Sequence, residues 1–179
     1  MPEIRRLAAV MFTDIAGYTA LMGKDEQRAL AVLAKNRKLQ KDLVRKHHGE
    51  FLKEMGDGTL LCFQSALDAV RCAMAIQEAV KEVPDLNLRI GIHLGDIVFK
   101  EGDIFGDGVN VASRIEQLAN PGGICVSGQV CQTIKNQQGI TAWPLGKKKV
   151  KNVEEPIDVY SILPGESSLH RKNAPAGQS

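Results

Sequence analysis

Residues 7–12, Leu-Ala-Ala-Val-Met-Phe, form an unbroken apolar run that stops at Thr13-Asp14. A half-buried strand would alternate apolar and polar side chains; a run without alternation needs cover on both faces and reads as an interior strand opening into a loop. The rest of the chain has to supply that cover. Over about residues 25–48 the spacing predicts a helix, with Ala29, Val32, Leu33, Leu39 and Leu43 on one stripe and Lys, Arg and Gln opposite. Lys46, His47 and His48 suit the negative end of its dipole, and Gly49 suits a left-handed cap.

Residues 50–53 and 59–63 flank Met55-Gly56-Asp57-Gly58, so two strands joined by an Asp-Gly turn make a hairpin. Ser65, with Asp68 three residues on, caps a second helix that turns Ala66, Ala69, Val70, Ala73 and Val80 inward and stops at Pro84. A strand follows over 88–98, broken by Gly91 and Gly95, then a glycine-rich loop over 102–108 and a helix over 109–119 ended by Asn120-Pro-Gly-Gly. A short strand (124–126), a short helix (128–135) and two strands (140–145 and 157–163) complete the order β, α, ββ, α, β, α, β, α, ββ. That order predicts an α+β fold: a ferredoxin-like split βαβ sheet core with flanking helices on one or both faces. A chain of 179 residues has room for one compact domain, expected over 1–163, with 164–179, rich in Gly, Ser, Asn, Pro and Gln, as a disordered tail or linker.

Charge and cysteine content narrow the function classes. With 23 Lys+Arg against 21 Asp+Glu the net charge is +2, far from the basic footprint of a nucleic-acid or polybasic membrane binder. No apolar run approaches the roughly 18 residues of a membrane span, and the N-terminus lacks the apolar core of a signal peptide. Cys62, Cys72, Cys125 and Cys131 show no Cys-x-x-Cys spacing and read as buried, reduced thiols of a cytoplasmic protein. No nucleic acid and no membrane contact are expected of this segment.

Three segments concentrate acids and glycines next to element ends: residues 12–19, 53–58 and 103–114. Singly, each has an ordinary explanation. Asp14 can cap a helix, Asp57-Gly58 can be a plain turn, and Asn110 with Arg114 a solvated helix face. Jointly they say more. If the hairpin pairs beside the first strand, Asp14 and Asp57 come side by side, where two carboxylates repel unless a cation sits between them, and oxygen ligands suit Mg²⁺ or Mn²⁺. Small residues Ala16 and Gly17 expose backbone N–H groups at a helix start, a place for phosphate oxygens. Asn110 and Arg114, four apart on a helix, share one face and offer an amide and a guanidinium to a ribose and a phosphate.

These segments resemble the catalytic domain of the class III nucleotidyl cyclases, the adenylate and guanylate cyclases, in order and at family spacing over nearly all of residues 5–163. Phe-Thr-Asp-Ile-x-Gly-Tyr-Thr stands at 12–19, Lys-x-x-Gly-Asp at 53–57, and Asp-x-x-Gly-x-x-Val-Asn-x-Ala-Ser-Arg at 103–114. The resemblance implies that Asp14 and Asp57, with the Ile15 carbonyl, hold two divalent cations, Mg²⁺ or Mn²⁺. It implies that Ala16, Gly17, Tyr18 and Thr19 meet the substrate, Asn110 orients the ribose, Arg114 stabilises charge at the α-phosphate, and Lys53 with Asp103 select the purine. Adenine presents an amino donor and an N1 acceptor, matching a carboxylate and an ammonium, whereas guanine presents the reverse, so ATP is expected over GTP. The implied reaction is attack of the ribose 3′-hydroxyl on the α-phosphate, giving 3′,5′-cyclic AMP and pyrophosphate.

The resemblance further implies a head-to-tail homodimer: Asp14 and Asp57 of one chain face Lys53, Asp103, Asn110 and Arg114 of its partner. It also implies a sensor or regulatory domain in a longer native chain. The family's triphosphate-binding lysine usually stands before a glycine; here Lys151 precedes Asn152, and residues 147–149 compete for the role. His93, His47 and His48 are read as structural. Guanylate cyclase activity and a catalytically silent, nucleotide-binding regulatory module are the alternatives. A diguanylate-forming enzyme lacks its Gly-Gly-Asp/Glu-Glu-Phe signature here.

Overall fold

A computed structural model describes residues 3–164, so the expected tail lies outside the described residues except for its first position. The elements are β1 (Ile4–Ile15), α1 (Tyr18–Lys24), α2 (Glu26–Lys46), β2 (Gly49–Met55), β3 (Gly58–Phe63), α3 (Ala66–Val80), β4 (Leu88–Lys100), β5 (Asp103–Phe105), α4 (Asp107–Glu116), β6 (Ile124–Ser127), α5 (Gly128–Ile134), β7 (Ile140–Lys148) and β8 (Ile157–Pro164). One sheet runs β2-β3-β1-β4-β6-β8-β7, with β5 paired to β4. β3 lies antiparallel between β1 and β2, and β1 lies antiparallel between β3 and β4. Two split βαβ crossovers, through α2 and through α3, are therefore interleaved, as the element order predicts.

β1 is covered on both faces. Ala9, Met11 and Ile15 join a core with residues of α2, α3 and α5, while Ala8 and Val10 join Ala112 of α4 on the other side. The strand is longer than the apolar run: it includes Thr13, Asp14 and Ile15, so Asp14 belongs to the strand and not to a following loop. Leu7, at its outer end, is 59% exposed.

The buried stripe of α2 is more polar than its leucines suggest. Ala29, Val32, Asn36, Gln40 and Val44 are buried, and Leu33, Leu39 and Leu43 sit at the margin. Gln40 donates to Thr13 (3.1 Å) and to Asn36 Oδ1 (2.8 Å) and accepts from Thr59 (2.7 Å), and Thr13 and Thr59 bond each other at 2.6 Å. Buried polar groups need such partners, and here they tie α2 to the ends of β1 and β3.

Glycine positions correct two local expectations. The left-handed residue after α2 is His48 (φ 63), and Gly49 instead opens β2, where a Cβ would stand 2.4 Å from the Phe63 ring. β4 runs unbroken through Gly91 and Gly95, because these glycines seat α4: a Cβ on Gly91 would stand 2.2 Å from the Glu116 backbone nitrogen. Two further elements stand outside the predicted order, although a helix start was expected at Ala16 and Gly17. α1 begins after Gly17 (φ 76), and β5 returns from β4 through Glu101 (φ 53) and Gly102 (φ 77), the paired positive φ values of a tight hairpin. Among the described residues no helix is long and apolar enough to cross a membrane.

Candidate active site

Asp14 is the last residue but one of β1, in antiparallel register with Arg89 of β4. Asp57 occupies the two-residue loop between β2 and β3, turned by Gly56 (φ 63). Because Thr13 pairs with Thr59, that loop lies at the end of β1, and the Ile15 N–H donates to Asp57 Oδ2 at 3.1 Å. The two carboxylates that the hairpin argument put side by side are thus brought together.

Their surroundings are short of positive charge. Asp14 Oδ1 is buried without a hydrogen-bond partner, and the Arg89 guanidinium stands 3.7 Å away, too long for a hydrogen bond. Glu116, at the end of α4 and 6% exposed, adds a third acid whose Oε2 is also buried and unpartnered. Burial, then the Asp14 charge and contact, push the Glu116 carboxyl up to about 8, against the opposing pull of Arg89. A buried Asp14 oxygen that meets no N–H donor, beside the Asp57 carboxylate, is what a hard divalent cation satisfies, so these two residues fit Mg²⁺ or Mn²⁺. Among the described residues no three His, Cys, Asp or Glu side chains form a full metal cage. An ion held here would have one or two carboxylates and would need further oxygen ligands. Glu116 was missed in the sequence; its signal was an acid continuing the inward stripe of Val111, Ala112 and Ile115.

Lys53 and Asp103 also meet. Lys53 Nζ donates to Asp103 Oδ2 at 3.1 Å, while Asp103 Oδ1 accepts the Ile104 N–H at 2.8 Å. The Ile104 N–H and then Lys53 hold the Asp103 carboxyl below the usual carboxylate range. Behind Lys53, Arg37 of α2 holds both Glu54 oxygens at 3.0 Å, fixing β2 against the helix.

α4 carries Asn110, exposed, and Arg114, half-buried. Asn110 lines a cavity of about 310 Å³ with Asp107, Val111 and residues 152–155. Lys151 lies on the exposed turn just before those residues, and Lys147 is engaged with Asp158 at 3.6 Å. At the other end, the Ala16 N–H donates to the Asn87 carbonyl at 2.7 Å, so that amide is engaged within the chain, and α1 starts beyond it at Tyr18.

His93 and His47 take structural positions. His93 is 8% exposed and bonds Ser127 through Nδ1 at 2.8 Å, and burial pulls its pKa down to about 4. His47 caps α2 with Nδ1 on the Leu43 carbonyl at 2.9 Å. Burial raises the Cys62, Cys72 and Cys125 thiols to about 11, 12 and 11, which keeps them protonated and unreactive.

Comparison with known proteins identifies the family and the fold. The family pattern described as the adenylate and guanylate cyclase catalytic domain matches residues 3–164. A Rhizobium meliloti protein that carries an adenylate cyclase name is 38% identical over 180 residues, covering 96% of this chain and 31% of its own length. The crystal structure of an adenylate/guanylate cyclase/hydrolase from Silicibacter pomeroyi is 40% identical, covers 90% of this chain and 98% of its own, and superposes with a TM-score of 0.79. The adenylyl cyclase CyaB of P. aeruginosa, 23% identical, shares the fold with a TM-score of 0.86 over 93% of this chain and 98% of its own. The chain belongs to the adenylate and guanylate cyclase catalytic domain family. It spans less than a third of the length of the first curated relatives it matches.

Proposed function

We propose that the chain converts ATP to 3′,5′-cyclic AMP and pyrophosphate. The Lys53–Asp103 pair carries this reading. An ammonium and a carboxylate 3.1 Å apart offer a donor to adenine N1 and an acceptor to its amino group, while guanine would set its N1–H against Lys53 and its carbonyl oxygen against Asp103. Guanylate cyclase activity is therefore disfavoured.

Asp14 and Asp57, with the Ile15 carbonyl, would hold two divalent cations, Mg²⁺ or Mn²⁺, which when bound supply charge neutralisation at the triphosphate and acidify the ribose 3′-hydroxyl. Asn110 orients the ribose so that this hydroxyl faces the α-phosphate in line with the departing pyrophosphate. Arg114 offsets charge that grows on the α-phosphate oxygens. The segment 16–19, chiefly Gly17, Tyr18 and Thr19 at the start of α1, faces the phosphates, and Lys151 is the lysine assigned to the triphosphate. No protein nucleophile is needed.

Lys53 and Asp57 are four residues apart on one hairpin, yet base and phosphates lie at opposite ends of a nucleotide. Two copies head to tail resolve this: the metal carboxylates of one chain face Lys53, Asp103, Asn110 and Arg114 of the other, giving two equivalent sites. Residues 1–163 are the catalytic domain in this reading, working in the cytoplasm beside a sensor or regulatory segment of a longer protein. Intact Asp14, Asp57, Asn110 and Arg114 weigh against a silent module.

The test is incubation of the purified chain with ATP or GTP and Mn²⁺ or Mg²⁺, with products identified by mass spectrometry. Cyclic AMP is expected, and no cyclic nucleotide at high protein concentration would overturn the proposal. Mixing inactive Asp14→Ala and Asn110→Ala chains is expected to restore one working site per heterodimer. Failure to restore activity in chains that associate would sink the shared site.

A further inference from the structure

Among the described residues, one basic side chain makes an ion pair with Asp14. Arg89 is the cross-strand partner of Asp14, and its Nη1 stands 3.7 Å from Asp14 Oδ1, the oxygen without a hydrogen-bond partner. Charge attraction holds the two together without a directional bond. A guanidinium committed to a carboxylate makes paired bonds of about 2.7–2.9 Å, which Arg89 and Asp14 do not make. The Arg89 and Asp14 side chains are 34% and 31% exposed, so the guanidinium has a path to solvent. Asp57, in the neighbouring loop, adds a second carboxylate, and Glu116 packs on the backbone of Gly91 two positions along β4.

We infer that Arg89 is the resident counter-cation of the metal site: it balances Asp14 in the ion-free protein and opposes a divalent ion arriving at the same oxygen, so it sets the ion concentration at which the site fills. This rests on the proposal that Asp14 and Asp57 hold the ions. Arg89 is a positioning residue in this role, since it acts through Asp14. The cost it imposes is electrostatic and follows its charge, not its shape. A side chain of similar reach without charge should therefore let the ion bind more tightly, and lysine should leave affinity unchanged.

The experiment titrates nucleotide-free protein with Mn²⁺, following the free ion by electron paramagnetic resonance, for wild type, Arg89→Met, Arg89→Gln, Arg89→Lys and Asp14→Asn. Thermal melts with and without Mn²⁺ run alongside. Wild type is expected to bind Mn²⁺ and Asp14→Asn to lose it. Arg89→Met is expected to bind about ten-fold more tightly, the scale of one partly screened charge a few ångströms away. Arg89→Lys should match wild type, and Mn²⁺ should raise the melting midpoint more in Arg89→Met than in wild type. Arg89→Gln makes the same comparison if Arg89→Met does not melt cooperatively. Equal or weaker binding by the neutral variants, or a lysine variant as tight as the methionine one, overturns the Arg89 role while leaving the metal site standing. Wild type without Asp14-dependent binding overturns the Arg89 role, and the metal reading falls as well if Asp14-dependent Mn²⁺ binding is also missing with a non-cyclisable ATP analogue present.

Discussion

The Lys53 ammonium and the Asp103 carboxylate, fifty positions apart in the chain, meet at 3.1 Å and join β2 to β5. Each fixes the position of the other, so in the proposed function base selection belongs to a pair and not to either residue alone.

Removing one member is expected to leave the other unpaired. Lys53→Ala and Asp103→Ala should each lower kcat/KM for ATP by about ten- to a hundred-fold, the worth of one charge-assisted hydrogen bond. Interchanging them, Lys53→Asp with Asp103→Lys, reverses the donor and acceptor and should lower the ATP:GTP ratio of kcat/KM. Initial rates with both nucleotides check this, and an unchanged ratio would place base selection elsewhere.

Asp57→Asn separates chemistry from folding. The carboxylate accepts the Ile15 N–H through one oxygen, a role the asparagine carbonyl can keep, but the negative charge offered to a cation is gone. Cyclase activity should fall by roughly a thousand-fold or more, with a melting midpoint within a few degrees of wild type.

Gly91→Ala should be severe. The new Cβ would stand 2.2 Å from the Glu116 backbone nitrogen, an atom that cannot move without lifting α4. A loss of about 3 kcal/mol is expected from such overpacking. Gly23→Ala is the control: it lies in α1 with no atom within 4 Å of its added Cβ and should stabilise by about 0.5–1 kcal/mol. Denaturant melts of both variants decide the contrast.

His93 makes stability depend on acidity. Burial lowers its pKa from 6.5 to about 4, so the unfolded chain takes up a proton that the folded chain refuses between those values. The stabilisation is complete above about pH 6.5 and lost as pH falls toward 4, a total on the order of 3 kcal/mol from this group. His93→Gln should flatten that limb of the stability–pH curve, and an unchanged limb would assign it to other groups.

The order of strands and helices was legible in sequence because hydrophobic period changes clearly between elements and Gly, Pro and Ser punctuate them. α1 escaped because its seven residues bury none of their side chains and so leave no periodic trace. β5 escaped because it has three residues and turns through Glu101-Gly102 in place of the usual Asn-Gly or Asp-Gly. The glutamines of α2 were placed on its wet face, yet Gln40 is buried; its partners Thr13 and Thr59 lie on strands far away in the chain, and composition cannot reveal that pairing. The neighbouring of Asp14 and Asp57 followed from one assumption about hairpin pairing. Arg89 left no such signal, since cross-strand register places it, and Glu116 left only its position on the inward stripe of α4.

The interleaved crossovers also fix when the chain acquires its proposed cation site. Asp14 and Asp57 become neighbours only once β3 has inserted between β1 and β2, a contact that closes a loop of more than forty residues. Such distant pairings are formed late and slowly, because the chain entropy is lost before the contact repays it. On that proposal, divalent ions would have no native site to grip in a half-folded chain and would not guide its early collapse; they would bind the finished topology and slow its unravelling.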